Sequence, residues 1–348
     1  MAPRTMKAVY FEQHGGPETL KYGDMPVPEP GPGQALVRVL ACGVNRLDIY
    51  SRTGRTKVSL PHISGSEAAG ELVAYGGGIE GPLPVGTRVA IAPYLFCGNC
   101  EYCRAGDETV CLRSDILGLA SQGAFAEYVV VPVNSLVALP PGVDAIDAAG
   151  VGLATITAWR MLIERARLRP GETVLVHAAG SGVGSAAIQI AKLTGARVIT
   201  TAGSSEKLEQ ARRLGADDTI NYNELDFAQE VRKLTNKRGV SVVVEHIGAS
   251  TWEQSLASLA REGRLVICGA TSGNEGITNL WSLFAKELRI IGSYGGTRGD
   301  LATVLNLVAG GQLKPTIQRV LPLESVGEAQ RMLEEREVFG KIVIDVTK

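Results

Sequence analysis

Thr173-Val-Leu-Val-His-Ala-Ala-Gly-Ser-Gly-Val-Gly184 decides how the second half of this chain is built. Thr173-Val-Leu-Val-His is a short apolar, β-branched run, the signature of a buried strand. It breaks into Ala178-Ala-Gly-Ser-Gly-Val-Gly184, a turn of small residues, and residues 183–193 then follow a helical period. Gly180, Gly182 and Gly184 allow the backbone to bend tightly and to approach a pyrophosphate, and the following helix points its N-terminus at the phosphate charge. The spacing is not a literal G-x-G-x-x-G. With Gly184 as third glycine, Ala179 and Ser181 stand where the first two would be. Glycines also make ordinary tight turns. The placement between a buried strand and an amphipathic helix points to dinucleotide binding, with Gly180, Ser181, Gly182 and Val183 as backbone contacts.

The same rhythm continues outward. Arg197-Val-Ile-Thr-Thr, Thr219-Ile-Asn, Val242-Val-Val-Glu, Arg264-Leu-Val-Ile-Cys and Leu288-Arg-Ile-Ile-Gly-Ser read as further strands separated by helices. Six strands alternating with helices predict an α/β fold with a Rossmann-type, doubly wound parallel sheet. Before about residue 150 the character differs. Ala35-Leu-Val-Arg-Val-Leu-Ala and Gly86-Thr-Arg-Val-Ala-Ile-Ala are strands of a mostly-β domain, and Pro26, Pro28, Pro30 and Pro32 form an extended link.

Within that β part, Cys97, Cys100, Cys103 and Cys111 stand in C-x2-C-x2-C-x7-C spacing. Four thiolates from one loop close a tetrahedral zinc site with no open position, so the ion would staple the loop rather than activate a substrate. A pair of disulfides is the alternative. Cys42 and Cys268 lie among apolar neighbours and read as buried thiols. The net charge of −1 with no basic run gives no electrostatic case for nucleic acid or an anionic membrane. No apolar run reaches transmembrane length, and Met1-Ala-Pro-Arg-Thr-Met-Lys lacks an apolar signal core. A reducing cytoplasm is expected.

A cofactor without a 2′-phosphate usually meets an acid at the tip of the second strand, roughly 20 residues beyond the turn. That tip here is Thr200-Thr-Ala-Gly-Ser-Ser-Glu-Lys207, with no acid at the strand end. Ser204 and Lys207 suit a 2′-phosphate, so NADPH is expected over NADH. Ser204 or Ser205 also serves as an ordinary helix N-cap, and both roles can hold together.

Taken together these segments resemble the medium-chain dehydrogenase/reductase superfamily. The resemblance runs over nearly the whole chain. It is carried by Gly15-Gly-Pro-Glu-Thr-Leu, Asn45-Arg-Leu-Asp48, the four-cysteine lobe, Ala154-Thr-Ile-Thr-Ala-Trp159, the glycine turn and Gly340-Lys-Ile-Val. It implies a GroES-like substrate domain (1–151, completed by 293–348) and a Rossmann domain (152–292). Also implied are Thr157 at the nicotinamide, Tyr222 at the adenine-ribose end, Gly269 at the nicotinamide ribose and Lys341 at the pyrophosphate. A surface lysine is the alternative for Lys341. A homodimer or homotetramer is implied, with Rossmann sheets meeting edge to edge through residues 288–294.

Zinc alcohol dehydrogenases of this superfamily hold a second, catalytic zinc, and the resemblance locates its three ligand positions. They are occupied here by Asn45, Ser66 and Leu153. Neutral amide, hydroxyl and alkyl groups are poor zinc ligands. Without zinc to polarise a carbonyl, the expected substrate accepts hydride more readily: an enone, an acryloyl-type thioester or a quinone. The chain accordingly resembles the quinone-oxidoreductase and enone-reductase branch, with structural zinc only. Asn45 and Tyr50 would donate to the substrate carbonyl. Asp48 would orient neighbours, and Arg46 would meet cofactor phosphate or an acidic substrate. Arg52, Arg55 and Lys57 suit a CoA mouth or a solvated loop. Two rivals stand: an alcohol dehydrogenase with a metal site rebuilt around Asp48 and Glu67, and a non-catalytic NADPH-binding protein.

Overall fold

A computed structural model of the chain describes residues 4–78 and 81–348; residues 1–3 of the opening segment, and 79–80, lie outside it. The chain divides into two compact units, Met1–Leu153 with Gly296–Lys348, and Ala154–Gly295. The expected divisions, after residues 151 and 292, fall two and three residues earlier.

The first unit is mostly β. Its seven-stranded sheet runs in the order Ile317–Pro322, Lys341–Asp345, Gln34–Gly43, Glu67–Tyr75, Arg88–Ile91 and Leu136–Ala138, and Tyr128–Pro132 also pairs with Gln34–Gly43. All pairs are antiparallel except Ile317–Pro322 with Lys341–Asp345. The last strand thus lies beside Gln34–Gly43, with Val343 opposite Gly43 and Ile344 opposite Cys42. Val37, Val39, Leu72, Ile91, Phe125, Ile342 and Ile344 fill the core. Each such side chain contributes roughly 2 kcal/mol by leaving water.

Gly15, in the first motif of the resemblance, donates its N–H to the Arg52 carbonyl at 3.0 Å. Its own carbonyl accepts from the Arg52 guanidinium at 2.8 Å. Arg52 is fully buried; it also donates to Gln330 at 2.6 Å and Glu334 at 2.9 Å. The reading of Arg52 as a cation at a CoA mouth or in a solvated loop is therefore corrected. Its five donors need acceptors once buried, and the helix Val326–Glu334 supplies two of them.

The second unit is a six-stranded, all-parallel sheet in the order Asp218–Asn221, Arg197–Ala202, Thr173–Val176, Val240–Glu245, Leu259–Ile267 and Arg289–Gly292. In chain order this is 3-2-1-4-5-6, the doubly wound Rossmann arrangement. Val174, Leu175, Val176, Val198 and Ile199 are all buried, as expected when helices cover both faces of a parallel sheet. The helix Gly182–Leu193 buries Ala186, Ala187, Ile188, Ile190 and Ala191. Among the described residues no single helix is long and apolar enough to cross a membrane.

Candidate functional site

The glycine turn is the candidate site of the second unit, taken by itself. Ser181 caps the helix Gly182–Leu193, its Oγ accepting from the Gly184 N–H at 2.9 Å. Gly184 is closely packed: a Cβ there would lie 2.3 Å from the Ala178 carbonyl oxygen. Ala178 itself holds φ at +50°, the left-handed region that costs a non-glycine residue about 1 kcal/mol or more. Thr201 fixes that conformation. Its Oγ1 accepts the Ala178 N–H at 3.2 Å and its carbonyl the Ala179 N–H at 2.9 Å.

Beneath Thr201 runs a buried polar chain. His177 Nδ1 lies 3.3 Å from Thr201 Oγ1 and its Nε2 lies 2.8 Å from Ser255 Oγ. The Ser255 hydroxyl donates to Glu245 at 2.6 Å. Burial holds the His177 imidazole neutral, with its pKa lowered to about 4. Sequence reading missed this support because Ser255 stands 78 residues from His177.

The half-exposed backbone of Gly180, Ser181, Gly182 and Val183 and the close packing at Gly184 fit a dinucleotide pyrophosphate. Ser204 caps the helix Ser205–Arg213, accepting from the Lys207 N–H at 3.3 Å. Tyr222 is 43% exposed, and its hydroxyl would lie 2.7 Å from a Cβ placed on Gly203. Ser204, Lys207 and Tyr222 are thus brought to one strand tip. Gly269 lies beside the His246 carbonyl, 3.5 Å from where its Cβ would stand. Thr157 is buried in the helix Ala154–Trp159.

The first unit carries a polar cluster of its own. Asn45 precedes the helix Arg46–Arg52, and its N–H donates to Asp48 Oδ2 at 2.7 Å. Asp48 Oδ1 accepts from the Gly65 N–H at 3.1 Å and the Ser66 hydroxyl at 3.3 Å. Glu67 begins the strand Glu67–Tyr75 and is wholly buried. Its Oε1 accepts from Asn45 Nδ2 at 2.9 Å and from the Lys341 ammonium, and its Oε2 accepts from the Leu153 N–H. Asn45, Ser66 and Leu153, far apart in sequence, therefore converge on Glu67 and Asp48.

The fate of each expected catalytic side chain follows from these contacts. Asn45 was expected to offer its amide to a substrate carbonyl. Its Nδ2 is instead given to Glu67, with Ser66 Oγ and the Gly43 carbonyl both 3.4 Å away, and its Oδ1 accepts from Lys341 at 2.7 Å. Asp48 accepts from the Asn45 and Gly65 N–H groups and from the Ser66 hydroxyl. Arg46 is exposed and donates to the Leu333 carbonyl at 3.2 Å, outside the cluster. Tyr50 is half-buried, with the Arg55 guanidinium 4.4 Å over its ring. Lys341 is not a surface lysine: it is 5% exposed and ion-paired with Glu67.

Burial pushes the Asp48 carboxyl up to about 7, against the pull of the Asn45 and Gly65 N–H groups and of Lys341. The folded chain therefore holds this proton more tightly than the unfolded chain, whose ordinary value is 3.8. The resulting stabilisation is full below about 4 and is lost as pH rises through about 7. Between pH 5 and 8.5 the melting temperature of Asp48→Asn should fall less than that of the wild type, by on the order of 3 °C, in parallel thermal scans. Equal slopes in the two proteins would refute this assignment.

The cysteine lobe belongs to the first unit as well. The Sγ–Sγ distances are 3.4 Å for Cys100–Cys103, 3.5 Å for Cys97–Cys111, and 3.9 Å for Cys97–Cys103 and Cys100–Cys111. A tetrahedron with Zn–S of about 2.3 Å has edges of about 3.8 Å, so the four sulfurs fit zinc. All are free thiols, with sulfurs farther apart than an S–S bond of about 2.05 Å. The Cys97 and Arg113 N–H groups donate to Cys111 Sγ at 3.4 and 3.3 Å. Among the described residues this is the one group of three or more His, Cys, Asp or Glu donors close enough to share a metal.

Comparison with known proteins gives the family. Residues 31–141 match the alcohol dehydrogenase GroES-like domain and residues 182–310 the zinc-binding dehydrogenase domain. The NAD-dependent alcohol dehydrogenase of Sulfolobus acidocaldarius is 35% identical over 98% of this chain and 100% of its own. The chain belongs to the medium-chain dehydrogenase/reductase superfamily. This oxidoreductase is also 32% identical to the quinone oxidoreductase of Pongo abelii, over 98% of each chain. A crystal structure of an NAD-dependent alcohol dehydrogenase superposes on it with a TM-score of 0.93 at 46% identity, covering 98% of this chain and 100% of that one.

Proposed function

We propose that the chain is an NADPH-dependent reductase of activated C=C bonds (an enone or an acryloyl-type thioester) or of quinones, working without a catalytic metal. One observation carries this reading: the three positions that the resemblance gives to catalytic-zinc ligands hold Asn45, Ser66 and Leu153, and none offers a thiolate or imidazole. The two nearby carboxylates do not replace them, because Glu67 is held by Lys341, Asn45 and the Leu153 N–H, and Asp48 by Asn45, Gly65 and Ser66.

When bound, NADPH supplies the hydride. The absence of an acid at the strand tip, with Ser204 and Lys207 beside Tyr222, supports the 2′-phosphorylated cofactor. Hydride addition to the β-carbon of an enone moves charge onto the carbonyl oxygen, where a hydrogen-bond donor stabilises it. Tyr50 is the candidate donor, since the Asn45 amide is engaged with Glu67. A tyrosine or water then protonates the α-carbon. A homodimer or homotetramer is supported by the edge strand Arg289–Gly292, unpaired on its outer side among the described residues, and by exposed Trp281, Phe284 and Tyr294 nearby.

Alcohol oxidation is the second reading, favoured by the names of the Sulfolobus relative and the superposed structure. NADPH consumption should be followed with an enone, a quinone and the saturated aldehyde, with product identification. The expected product is the saturated ketone from the enone, or the hydroquinone. Aldehyde turnover should be roughly 100-fold or more below, the scale of losing one electrostatic contact to a developing oxyanion. Aldehyde reduction at a comparable rate, abolished when a chelator strips a second metal, would establish the alcohol dehydrogenase instead.

A further inference from the structure

We infer that His177 and Glu245 are positioning residues for the cofactor: a buried chain of directed hydrogen bonds through them locks the loops after two neighbouring strands into one arrangement. This role rests on the reading of residues 178–184 as a dinucleotide site and is independent of which substrate is reduced.

The topology sets the place. Thr173–Val176 and Val240–Glu245 are the two central strands of the parallel sheet, and the strand order reverses between them. Such sheets bind ligands in the crevice outside the carboxyl ends of the strands at that reversal. Val176 pairs with Val244, so His177 and Glu245 leave the sheet side by side, with His177 Nε2 3.6 Å from Glu245 Oε2. Both side chains are buried.

The donors set the direction of the chain. Ser255 Oγ has one hydrogen, and it goes to Glu245 Oε2 at 2.6 Å. Ser255 Oγ is then the acceptor for the His177 Nε2–H at 2.8 Å. Burial keeps the imidazole neutral, so it carries a single proton and Nδ1 is an acceptor. Nδ1 takes the Thr201 hydroxyl hydrogen at 3.3 Å, and Thr201 Oγ1 accepts the Ala178 N–H at 3.2 Å. Every hydrogen from the strained Ala178 backbone to the Glu245 carboxylate points one way, and the carboxylate at the end fixes the tautomer. A protonated His177 would donate from both nitrogens and leave the Thr201 hydrogen without its acceptor.

The other oxygen of Glu245 holds the second loop. Oε1 accepts the Ile247 N–H at 2.7 Å, the Gly248 N–H at 3.1 Å and the Thr251 hydroxyl at 3.0 Å. Gly248 holds φ at +93°, and a Cβ there would lie 2.6 Å from the Gly273 carbonyl oxygen. His246 Nε2 ties the loops directly, donating to the His177 carbonyl at 3.0 Å. One carboxylate thus sets the turn that begins at Ala178 through one oxygen and the 246–248 turn through the other.

The test uses the full-length protein and whichever of NADPH and NADH the wild type binds, titrated by fluorescence. Thr201→Val keeps the shape and strands the Ala178 N–H; affinity should fall roughly tenfold, the scale of one buried group left unpaired. Thr201→Ser keeps the hydroxyl and should bind within about twofold of the wild type. Ser255→Ala cuts the chain on the far side of the imidazole and should weaken binding as Thr201→Val does. Combining Thr201→Val with Ser255→Ala should weaken binding no further than either alone, because one broken link already frees the turn. Nitrogen NMR of the four histidines in cofactor-free wild type, with His177→Phe to assign the signal, should show His177 neutral and protonated on Nε2. That measurement decides the tautomer even where a variant does not fold. Additive losses in the double variant, wild-type affinity in Thr201→Val, or a His177 proton on Nδ1 each overturn the proposal. A wild type that binds neither dinucleotide overturns the cofactor reading itself, and this role with it.

Discussion

Purified Cys100→Ser protein should contain no more than about a tenth of the zinc of the wild type, which should carry one ion per chain. It should also melt on the order of 10 °C lower, since a few kcal/mol shifts a unit of this size by that much. The four sulfurs stand 3.4 to 3.9 Å apart. That is too far for S–S bonds of about 2.05 Å and right for a shared ion. Without a cation the four thiols cannot all ionise together. Backbone N–H groups, that of Asn99 first, bring Cys97 down to about 5, while burial and the neighbouring thiols push Cys103 up to about 12. A zinc ion settles this competition by holding all four as thiolates. The loop around them has little else to order it: it carries only the short helix Glu101–Arg104 and the single 3-10 turn Glu108–Val110, and Val110 and Leu112 are exposed. Metal analysis and a thermal scan, each with and without a thiol reductant, check the prediction. A wild type that lacks zinc and melts earlier in reductant would instead indicate disulfides.

The legible parts of this chain were the local ones. Parallel strands buried on both faces read as continuous apolar runs, so the inner Rossmann strands stood out, while the largely exposed edge strand Arg289–Gly292 was legible only from its place in the strand–helix rhythm. The cysteine spacing and the glycine turn are each contained within a few residues. What the turn concealed was its strained residue. Left-handed backbone falls at Ala178 rather than at Gly180 or Gly182, and Gly184 is required for packing rather than for its φ. The unit boundary is blurred because the helices Ala145–Val151 and Ala154–Trp159 are both small and apolar, with only Gly152 and Leu153 between them.

The candidate catalytic centre was legible in its members and not in their roles. Glu67, an acid next to Ala68 and Ala69, signals a buried carboxylate in need of a partner. That partner is 274 residues away, and no spacing rule reaches so far. Arg52 is the same case: its Gln330 acceptor lies 278 residues on, and its charged neighbours Arg55 and Lys57 made the stretch look solvated. Asn45 was chosen for a free amide, but an amide between a buried carboxylate and a buried ammonium satisfies both before any substrate arrives.

Gly184→Ala should weaken dinucleotide binding by roughly 100-fold, the largest effect expected of a single methyl group in the second unit. The new Cβ would sit 2.3 Å from the Ala178 carbonyl oxygen, a backbone atom with little freedom to move. Ala178 is already in the left-handed region, and its N–H is tied to Thr201, itself supported by His177 and Ser255. The turn therefore cannot yield on the strand side. The helix Gly182–Leu193 must lift instead, carrying Ser181 and the phosphate-facing backbone with it. Overpacking of this kind also costs about 1–3 kcal/mol in stability, so a control must separate poor folding from poor binding. Gly171→Ala supplies it. Gly171 has φ of +79° with nothing within 4 Å of its Cβ position, so alanine there introduces backbone strain without touching the turn. Titrated with NADPH by fluorescence at a temperature where both variants are folded, Gly171→Ala should bind like the wild type and Gly184→Ala should not. Equal affinities would mean that the cofactor does not lie on the 178–184 turn. The helix can present its N-terminus to a pyrophosphate only while it packs this close to the first strand, and the absent side chain at residue 184 is what permits that distance.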